Sequence, residues 1–149
     1  MRILFLDIDG VLNSFAWVPP KEHDDIDPKA ISLLNEIIAK SDAKVVIHST
    51  WRRLRPLESL RTLFKRNGFT GDILDTTPVM YDLAGHAVPR GVHIQKWLDT
   101  HPEAGVTSFA SLDDVGSMEH LSNRLIKTNM RWGLCPGHVE QVVKLLLEG

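Results

Sequence analysis

The sequence predicts an α/β fold: a doubly wound domain of three layers around a central parallel sheet of about five strands. Two patterns lead to this prediction. Short apolar runs bounded by turn residues, which suit buried strands, alternate with segments whose apolar residues recur at helical spacing. Such alternation is typical of parallel strands joined by right-handed helical crossovers. The chain has 149 residues, of which 43% are hydrophobic, and this length predicts one domain over residues 1–149.

Five segments are predicted to form strands. The first is an apolar run that ends abruptly at two acids, and the second ends in Ser49-Thr50. The third is the weakest candidate, and the fourth again ends in two acids. The predicted strands cover residues 2–8, 44–48, 72–74, 106–112 and 125–128.

Helices are predicted between these strands, after an irregular stretch over residues 14–27. The first helix begins at Asp27-Pro28, because aspartate is a good N-cap and proline suits the first helical position. The second ends at Asn67-Gly68, a common helix stop. The helices are predicted from Pro28, around Leu57 to Phe64, from Gly91 to just before His101, over residues 116–122, and from Pro136 onward.

Polar side chains follow three of the predicted strands, at the point where each strand ends. They are Asp7 and Asp9, Ser49 and Thr50, and Asp113 and Asp114. In a parallel sheet the carboxyl ends of all strands lie at one edge, where open α/β sheets bind ligands. The sequence therefore predicts that these groups converge, although about a hundred positions separate the two acidic pairs.

The first acidic pair indicates a cation site. Residues i and i+2 of a strand face the same side, so Asp7 and Asp9 are brought together. Two neighbouring carboxylates repel unless a cation or a shared proton intervenes. That arrangement is normal for magnesium-assisted phosphoryl chemistry. The alternative is a strand that simply ends in an acidic turn, because Asp-Gly is a common turn pair.

The opening segment, Asp7-Ile-Asp9-Gly10-Val-Leu-Asn13, resembles the first motif of the haloacid dehalogenase (HAD) superfamily of phosphohydrolases. Three later segments resemble the other motifs in order: Ser49 for the second, Arg90 for the third, and Asp113-Asp114 for the fourth. Finer details match the compact HAD domains found alone or fused to RNA-repair enzymes. These details are Ser49 to Arg52, Pro89-Arg90-Gly91, Ile94, Trp97-Leu98, Thr128 and Gly133-Leu134.

The resemblance implies roles for the first two acids. Asp7 is the expected nucleophile, forming an aspartyl-phosphate that splits hydrolysis into two steps; alternatively it is only a metal ligand. Asp9 is the expected general acid and base, and its backbone carbonyl would face the metal. An acid at this position favours phosphate esters over carbon–halogen bonds as substrates.

The other motifs supply the expected phosphate and metal ligands. Ser49 is expected to bind the phosphoryl group, with Thr50 as the substitute, although either also suits a helix cap. Arg90 is the expected basic ligand, with Lys96 as the second choice. The expected cofactor is Mg²⁺, bound by Asp7, Asp9, Asp113 and Asp114. Asp113 is expected to bind the metal directly. Asp114 is expected to bind it directly or through water, or to orient the basic residue instead.

Composition excludes several classes of function. The formal net charge is −2, so no overall attraction to nucleic acid or membranes is predicted. No apolar stretch reaches the length of a membrane span, and the histidines lack zinc-ligand spacing. The chain has one cysteine and its first apolar run is too short for a signal peptide, which makes the cytoplasm the expected location. His48 is expected to be a packed residue rather than a catalyst.

The predicted function is a capless, magnesium-dependent phosphomonoesterase, because residues 14–27 hold only a loop and residues 53–89 are largely used by a helix and a strand. A capless site admits a bulky phosphorylated partner. One alternative is a module that binds phosphorylated nucleic-acid ends with weak or no catalysis. The basic residues of segment 52–66 suit that role, although a solvated helix face is the favoured interpretation of them. A phospho-acceptor receiver is disfavoured by the order of the acids.

Overall fold

The computed structural model describes residues 1–20, 24–86, 88–114 and 118–149. Its centre is a five-stranded sheet with the order β3-β2-β1-β4-β5, in which every neighbouring pair runs parallel. The strands are β1 (Arg2–Leu6), β2 (Lys44–Ile47), β3 (Ile73–Thr76), β4 (Ser108–Asp113) and β5 (Leu125–Lys127). The predicted parallel α/β architecture is confirmed.

In the described part of the chain, four helices surround the sheet. They are α1 (Pro28–Ser41), α2 (Leu57–Arg66), α3 (Arg90–Thr100) and α4 (Pro136–Glu148). Short 3-10 turns occupy Thr50–Arg53, Pro102–Ala104 and Glu119–Arg124. The first helix begins as predicted, since the Asp27 carboxylate accepts a hydrogen bond from the Lys29 amide at 2.9 Å.

Several predicted strands begin or end one or two residues away from their observed bounds, and one predicted helix is a short turn. The third strand continues to Thr76, two residues beyond the predicted end, because Asp75 and Thr76 pair with Val46 and Ile47 of β2. The helix predicted over residues 116–122 is a 3-10 turn at Glu119–Arg124, and residues 116 and 117 lie outside the described residues.

The sheet is covered on both faces, which explains the unbroken apolar run of β1. Leu4 and Leu6 lie in a core shared with α1, α2 and α4. Ile3 and Phe5 lie in a second core, where Phe5 meets the Trp97 ring of α3 edge to face at 5.6 Å. Among the described residues no separate cap domain stands over the sheet. Within the described part of the chain, the helices are all too short or too polar to cross a membrane.

The strand order decides where the site lies. β1 is central, between β2 and β4, and hydrogen bonding between the strands continues just past its end. The Asp7 amide donates to Leu112 of β4 at 3.0 Å, and the His48 amide donates to Leu6 at 2.7 Å. The residues that follow these three strands are therefore neighbours at the carboxyl edge of the sheet.

Candidate active site

Asp7 lies at the centre of the carboxyl edge and is only 3% exposed. Its backbone is bonded to β4, and its Oδ1 accepts a hydrogen bond from the Ile8 amide at 2.8 Å. Its Oδ2 lies 3.4 Å from Nη1 of Arg90. One carboxylate oxygen is thus held by the backbone while the other faces the basic residue.

Three acids meet at this point, as the sequence predicts. Asp113 ends β4 and is fully buried, and Asp114 follows it at the sheet edge. One carboxylate oxygen from each of Asp7, Asp113 and Asp114 lies within 4.8 Å of the other two. An all-oxygen donor set of this kind suits a hard divalent cation such as Mg²⁺.

The electrostatics of this acidic cluster are unbalanced. Burial, reinforced by the negative charge of Asp113, raises the pKa of Asp7 to about 8, although Arg90 acts in the opposite direction. The cluster contains three carboxylates. Among the described residues, Arg90 forms ion pairs with two of them, Asp7 and Asp113. A bound cation would restore the balance, because opposite charge favours the ionised form of each acid.

Arg90 is brought to the acids by the start of α3. Its Nη1 lies 2.8 Å from Oδ2 of Asp113 and 3.5 Å from the carbonyl oxygen of His48. The next residue, Gly91, lets the helix approach closely, because a Cβ there would lie 2.2 Å from the Met118 carbonyl oxygen. Lys96, the second candidate for the basic ligand, lies exposed further along α3.

Asp9 points to a different set of partners from Asp7. Its side chain is half-buried. Its Oδ1 accepts a hydrogen bond from Nδ2 of Asn13 at 2.9 Å, and its Oδ2 accepts one from Nε1 of Trp51 at 3.1 Å. The carboxylate of Asp9 is not part of the cluster formed by the other three acids among the described residues. The contact with Trp51 had no signal in the sequence, because it joins residues 42 positions apart.

The turn after β2 contains both candidate hydroxyls. Ser49 is fully buried and caps the 3-10 turn, its Oγ accepting the Trp51 amide at 3.3 Å. Its carbonyl oxygen also accepts Nη1 of Arg52 at 2.6 Å. Thr50, in contrast, is exposed. The helix-cap alternative is therefore present in the structure for Ser49, and Thr50 has the accessible hydroxyl.

Gly10 shapes the rim of the acidic cluster. Its φ is +80°, and a Cβ there would lie 2.6 Å from Oδ2 of Asp114. Its amide donates to Oδ1 of Asn13 at 3.0 Å, and its carbonyl accepts the Thr128 hydroxyl at 2.6 Å. Both the backbone conformation and the contact require glycine.

His48 is packed beneath the site. It is 1% exposed, and its Nδ1 lies 2.7 Å from the Thr77 hydroxyl. Burial first, and then the charge of Arg52, lowers the pKa of His48 to about 2. The ring is therefore neutral at physiological pH, in agreement with its expected packing role.

The basic segment 52–66 is only partly available to a ligand. Arg52 binds the Ser49 carbonyl, Arg61 binds the carbonyls of β3, and Arg66 forms two hydrogen bonds with Asp24, at 2.9 and 2.7 Å. Arg55 and Lys65 are exposed. The structure thus assigns much of this positive charge to intramolecular contacts.

Fold and site together define a Rossmann-like α/β domain with a buried acidic centre at the carboxyl edge of its sheet. Residues 3–139 match the family of HAD domains in Swiss Army Knife RNA repair proteins, and the chain belongs to that family. The match includes every candidate site residue and confirms the resemblance drawn from the motifs. No curated protein and no solved structure matches the chain significantly.

Proposed function

We propose that this protein is a magnesium-dependent phosphomonoester hydrolase that works through an aspartyl-phosphate on Asp7. The observation that carries the proposal is the position of the Asp7 carboxylate. One oxygen is held by the Ile8 amide, and the other faces Arg90 beside the carboxylates of Asp113 and Asp114. A carboxylate so placed can attack phosphorus while cationic groups neutralise the phosphoryl oxygens.

The donor set fits Mg²⁺. Asp7, Asp113 and Asp114, together with the backbone carbonyl of Asp9, would hold it, since carboxylate and carbonyl oxygens are its usual protein ligands. When bound, the ion would offset the charge of the acids and of the substrate phosphate. Arg90 supplies a fixed positive charge on the same side, with Ser49 and Thr50 as hydrogen-bonding groups for the phosphoryl oxygens.

The reaction proceeds in two steps. In the first, an oxygen of Asp7 attacks phosphorus, the bond from phosphorus to the leaving oxygen breaks, and Asp9 gives that oxygen its proton. In the second, Asp9 takes a proton from water, the water oxygen attacks phosphorus, and the bond to Asp7 breaks. The products are an alcohol and inorganic phosphate, and both acids return to their starting state.

The open carboxyl edge favours a bulky substrate. Among the described residues no cap covers the acids, and a pocket of about 370 Å³ opens beside Trp51. It is lined by Asp24, Asp25, Trp51, Leu54, Arg55 and Leu63. Because the family is named for RNA repair proteins, a phosphorylated nucleic-acid end is our proposed substrate class.

A second candidate is a module that binds phosphorylated ends without turnover. The observation in its favour is the exposed guanidinium of Arg55, whose carbon lies 5.6 Å from the centre of the Trp51 ring. Arginine and an aromatic face are together suited to a phosphate and its neighbouring base. This candidate predicts tight binding of phosphorylated oligonucleotides with no phosphate release.

The deciding experiment assays phosphate release from 3′- and 5′-phosphorylated oligonucleotides, nucleotides and aryl phosphates, with Mg²⁺ and with a chelator. We expect turnover only with Mg²⁺, and a phosphorylated protein recoverable after acid quenching. Asp7→Asn is expected to lower turnover by at least about 10⁴-fold, as for other nucleophiles that act within a catalytic unit.

The matched control is Asp99→Asn, the same change at an exposed position on α3, which should leave turnover unchanged. Full activity in Asp7→Asn would rule out the aspartyl-phosphate mechanism. Binding of the oligonucleotides by the wild-type protein, with no turnover of any compound, would establish the binding module instead.

A further inference from the structure

The indole of Trp51 is held in one orientation next to the site. Trp51 is the second residue of the turn Thr50–Arg53, and its ring is half-buried against the core that contains α1 and α2. On another side the Arg55 guanidinium lies 5.6 Å from the ring centre. The indole N–H of Trp51 donates to Oδ2 of Asp9 at 3.1 Å.

Both oxygens of the Asp9 carboxylate accept hydrogen bonds, and the two donors come from different loops. Trp51 binds Oδ2 from the turn after β2, while Asn13 binds Oδ1 from the loop after β1. A half-exposed carboxyl group otherwise rotates about two side-chain bonds and samples several orientations. Two donors on opposite oxygens restrict both rotations. Each carboxylate oxygen has two lone-pair positions, and each of these hydrogen bonds occupies one. The carboxyl group can therefore still carry a proton.

We infer that Trp51 is a positioning residue that aims the carboxyl group of Asp9 at the leaving oxygen of the substrate. The inference rests on the proposed function, in which Asp9 protonates that oxygen. A general acid acts only from within hydrogen-bond reach of the atom it protonates, so its orientation contributes directly to the rate.

The same turn connects the acid with the phosphate-binding residues. Trp51 lies two residues after Ser49, whose hydroxyl accepts the Trp51 amide. Arg52 tightens the turn further through its hydrogen bond to the Ser49 carbonyl oxygen. One short, internally hydrogen-bonded turn therefore carries both the proposed phosphate ligand and the residue that orients the acid.

The test varies how much the reaction needs an acid. Phenyl phosphate and 4-nitrophenyl phosphate have similar shapes, but phenol, with a pKa of about 10, leaves poorly without protonation, whereas the more acidic nitrophenol leaves readily. In Trp51→Phe, which keeps an aromatic ring and loses the N–H, we expect kcat/KM to fall about tenfold or more for phenyl phosphate. For 4-nitrophenyl phosphate we expect a fall below about threefold, since general-acid effects of about 10²–10⁴ operate only when the acid is needed.

Three comparisons frame the result, each measured with Mg²⁺ after circular dichroism has verified folding. Asp9→Asn should depend most steeply on the leaving group. Trp132→Phe, the same change at an exposed tryptophan, should match the wild-type protein on both substrates. Trp51→Leu, also without a donor, replaces Trp51→Phe if the latter does not fold.

Equal losses of kcat/KM on both substrates, or no loss on either, would overturn the inference, because a merely structural role does not distinguish leaving groups. Such a result would leave the proposed function intact. If the wild-type protein releases phosphate from the oligonucleotides but from neither aryl phosphate, the role is tested on the oligonucleotides, where Trp51→Phe should cause no further loss in an Asp9→Asn background. If it releases phosphate from none of these compounds, the proposed function fails and the positioning role fails with it.

Discussion

Two regions of this molecule contrast in charge and in space. The carboxyl edge of the sheet holds Asp7 and Asp113, 3% and 0% exposed, with Arg90 as their ion-pair partner. Beside the amino ends of β2 and β3, a far larger cleft of about 820 Å³ carries well-separated, exposed charges. These charges are separated from the acidic cluster but not all from one another: Nζ of Lys44 pairs with Oδ2 of Asp72 at 2.7 Å, and the Asp72 side chain is 71% exposed.

This contrast indicates that buried, unbalanced charge, and not the volume of a cleft, is what makes the carboxyl edge the candidate site. An exposed pair such as Lys44–Asp72 contributes between about 0 and 1 kcal/mol, because water already solvates both groups. Neighbouring buried carboxylates are unfavourable unless a cation or a shared proton intervenes. The acidic cluster is therefore a candidate cation site, whereas the larger cleft holds no comparable cluster among the described residues.

Among the tests of this contrast, the largest effect is expected from replacing Arg90, the arginine that pairs with the acidic cluster. Arg90→Leu should lower kcat/KM by about 10²–10³-fold, in the range found when one group that stabilises transition-state charge is deleted. Phosphate release from an aryl phosphate measures it. Lys96→Leu, on the same helix but exposed, is the matched control and should stay within about twofold of the wild-type protein. A large loss in Lys96→Leu, or none in Arg90→Leu, would reassign the basic ligand.

The next effect tests the fit of Gly10 against Asp114. Gly10→Ala places a Cβ 2.6 Å from Oδ2 of Asp114 at a φ of +80°. Gly85→Ala has almost the same φ, +84°, with nothing within 4 Å. Backbone strain should lower the free energy of unfolding of both variants by about 1–3 kcal/mol, as measured by urea unfolding. The free energy of unfolding should fall further in Gly10→Ala than in Gly85→Ala, and the affinity of Gly10→Ala for Mg²⁺ should also fall. If the free energy of unfolding falls equally in the two variants, the contact with Asp114 does not contribute to stability.

A smaller effect follows from the raised pKa of Asp7, about 8 in the folded protein against about 3.9 in an unfolded chain. Between these values the folded state keeps a proton that the unfolded state releases. The contribution of Asp7 to metal-free stability is therefore fully present below about pH 4 and is lost as the pH rises toward 8. Mg²⁺ replaces that proton, so saturating Mg²⁺ should raise Tm by about 5–10 °C at pH 8 and by less at pH 5.5.

Thermal unfolding with Mg²⁺ and with a chelator, at both pH values, measures this difference. Asp113→Asn should reduce the response to Mg²⁺ at either pH, because it removes a proposed ligand. A Tm shift that is the same at pH 5.5 and pH 8 would contradict the coupling between protons and metal.

The smallest effect is expected in the larger cleft beside the amino ends of β2 and β3. Asp72→Asn breaks the exposed pair with Lys44 and should change the free energy of unfolding by less than about 1 kcal/mol. Phosphate release should be unaffected, because the cleft takes no part in the proposed reaction. A loss of turnover in this variant would mean that the larger cleft, and not only the acidic edge, serves the function.

Most of the fold could be predicted because its signals are local. The apolar run at Ile3–Leu6 and the Asp27-Pro28 helix start indicate their elements directly. The end of β3 could not be predicted, because Asp75 and Thr76 carry no strand signal and join the sheet through pairing with β2. The meeting of the acids followed from topology alone, since parallel strands end at one edge.

The order of amino acids was sufficient to specify a parallel α/β sheet and to put acids and hydroxyls after its strands, since both depend on neighbours in the chain. Tertiary packing decided which basic residue meets the acids and which groups hold Asp9. Arg90 reaches Asp113 across 23 positions, and Trp51 reaches Asp9 across 42. Such contacts depend on how far each helix and turn advances over the sheet, which no local pattern of residues records.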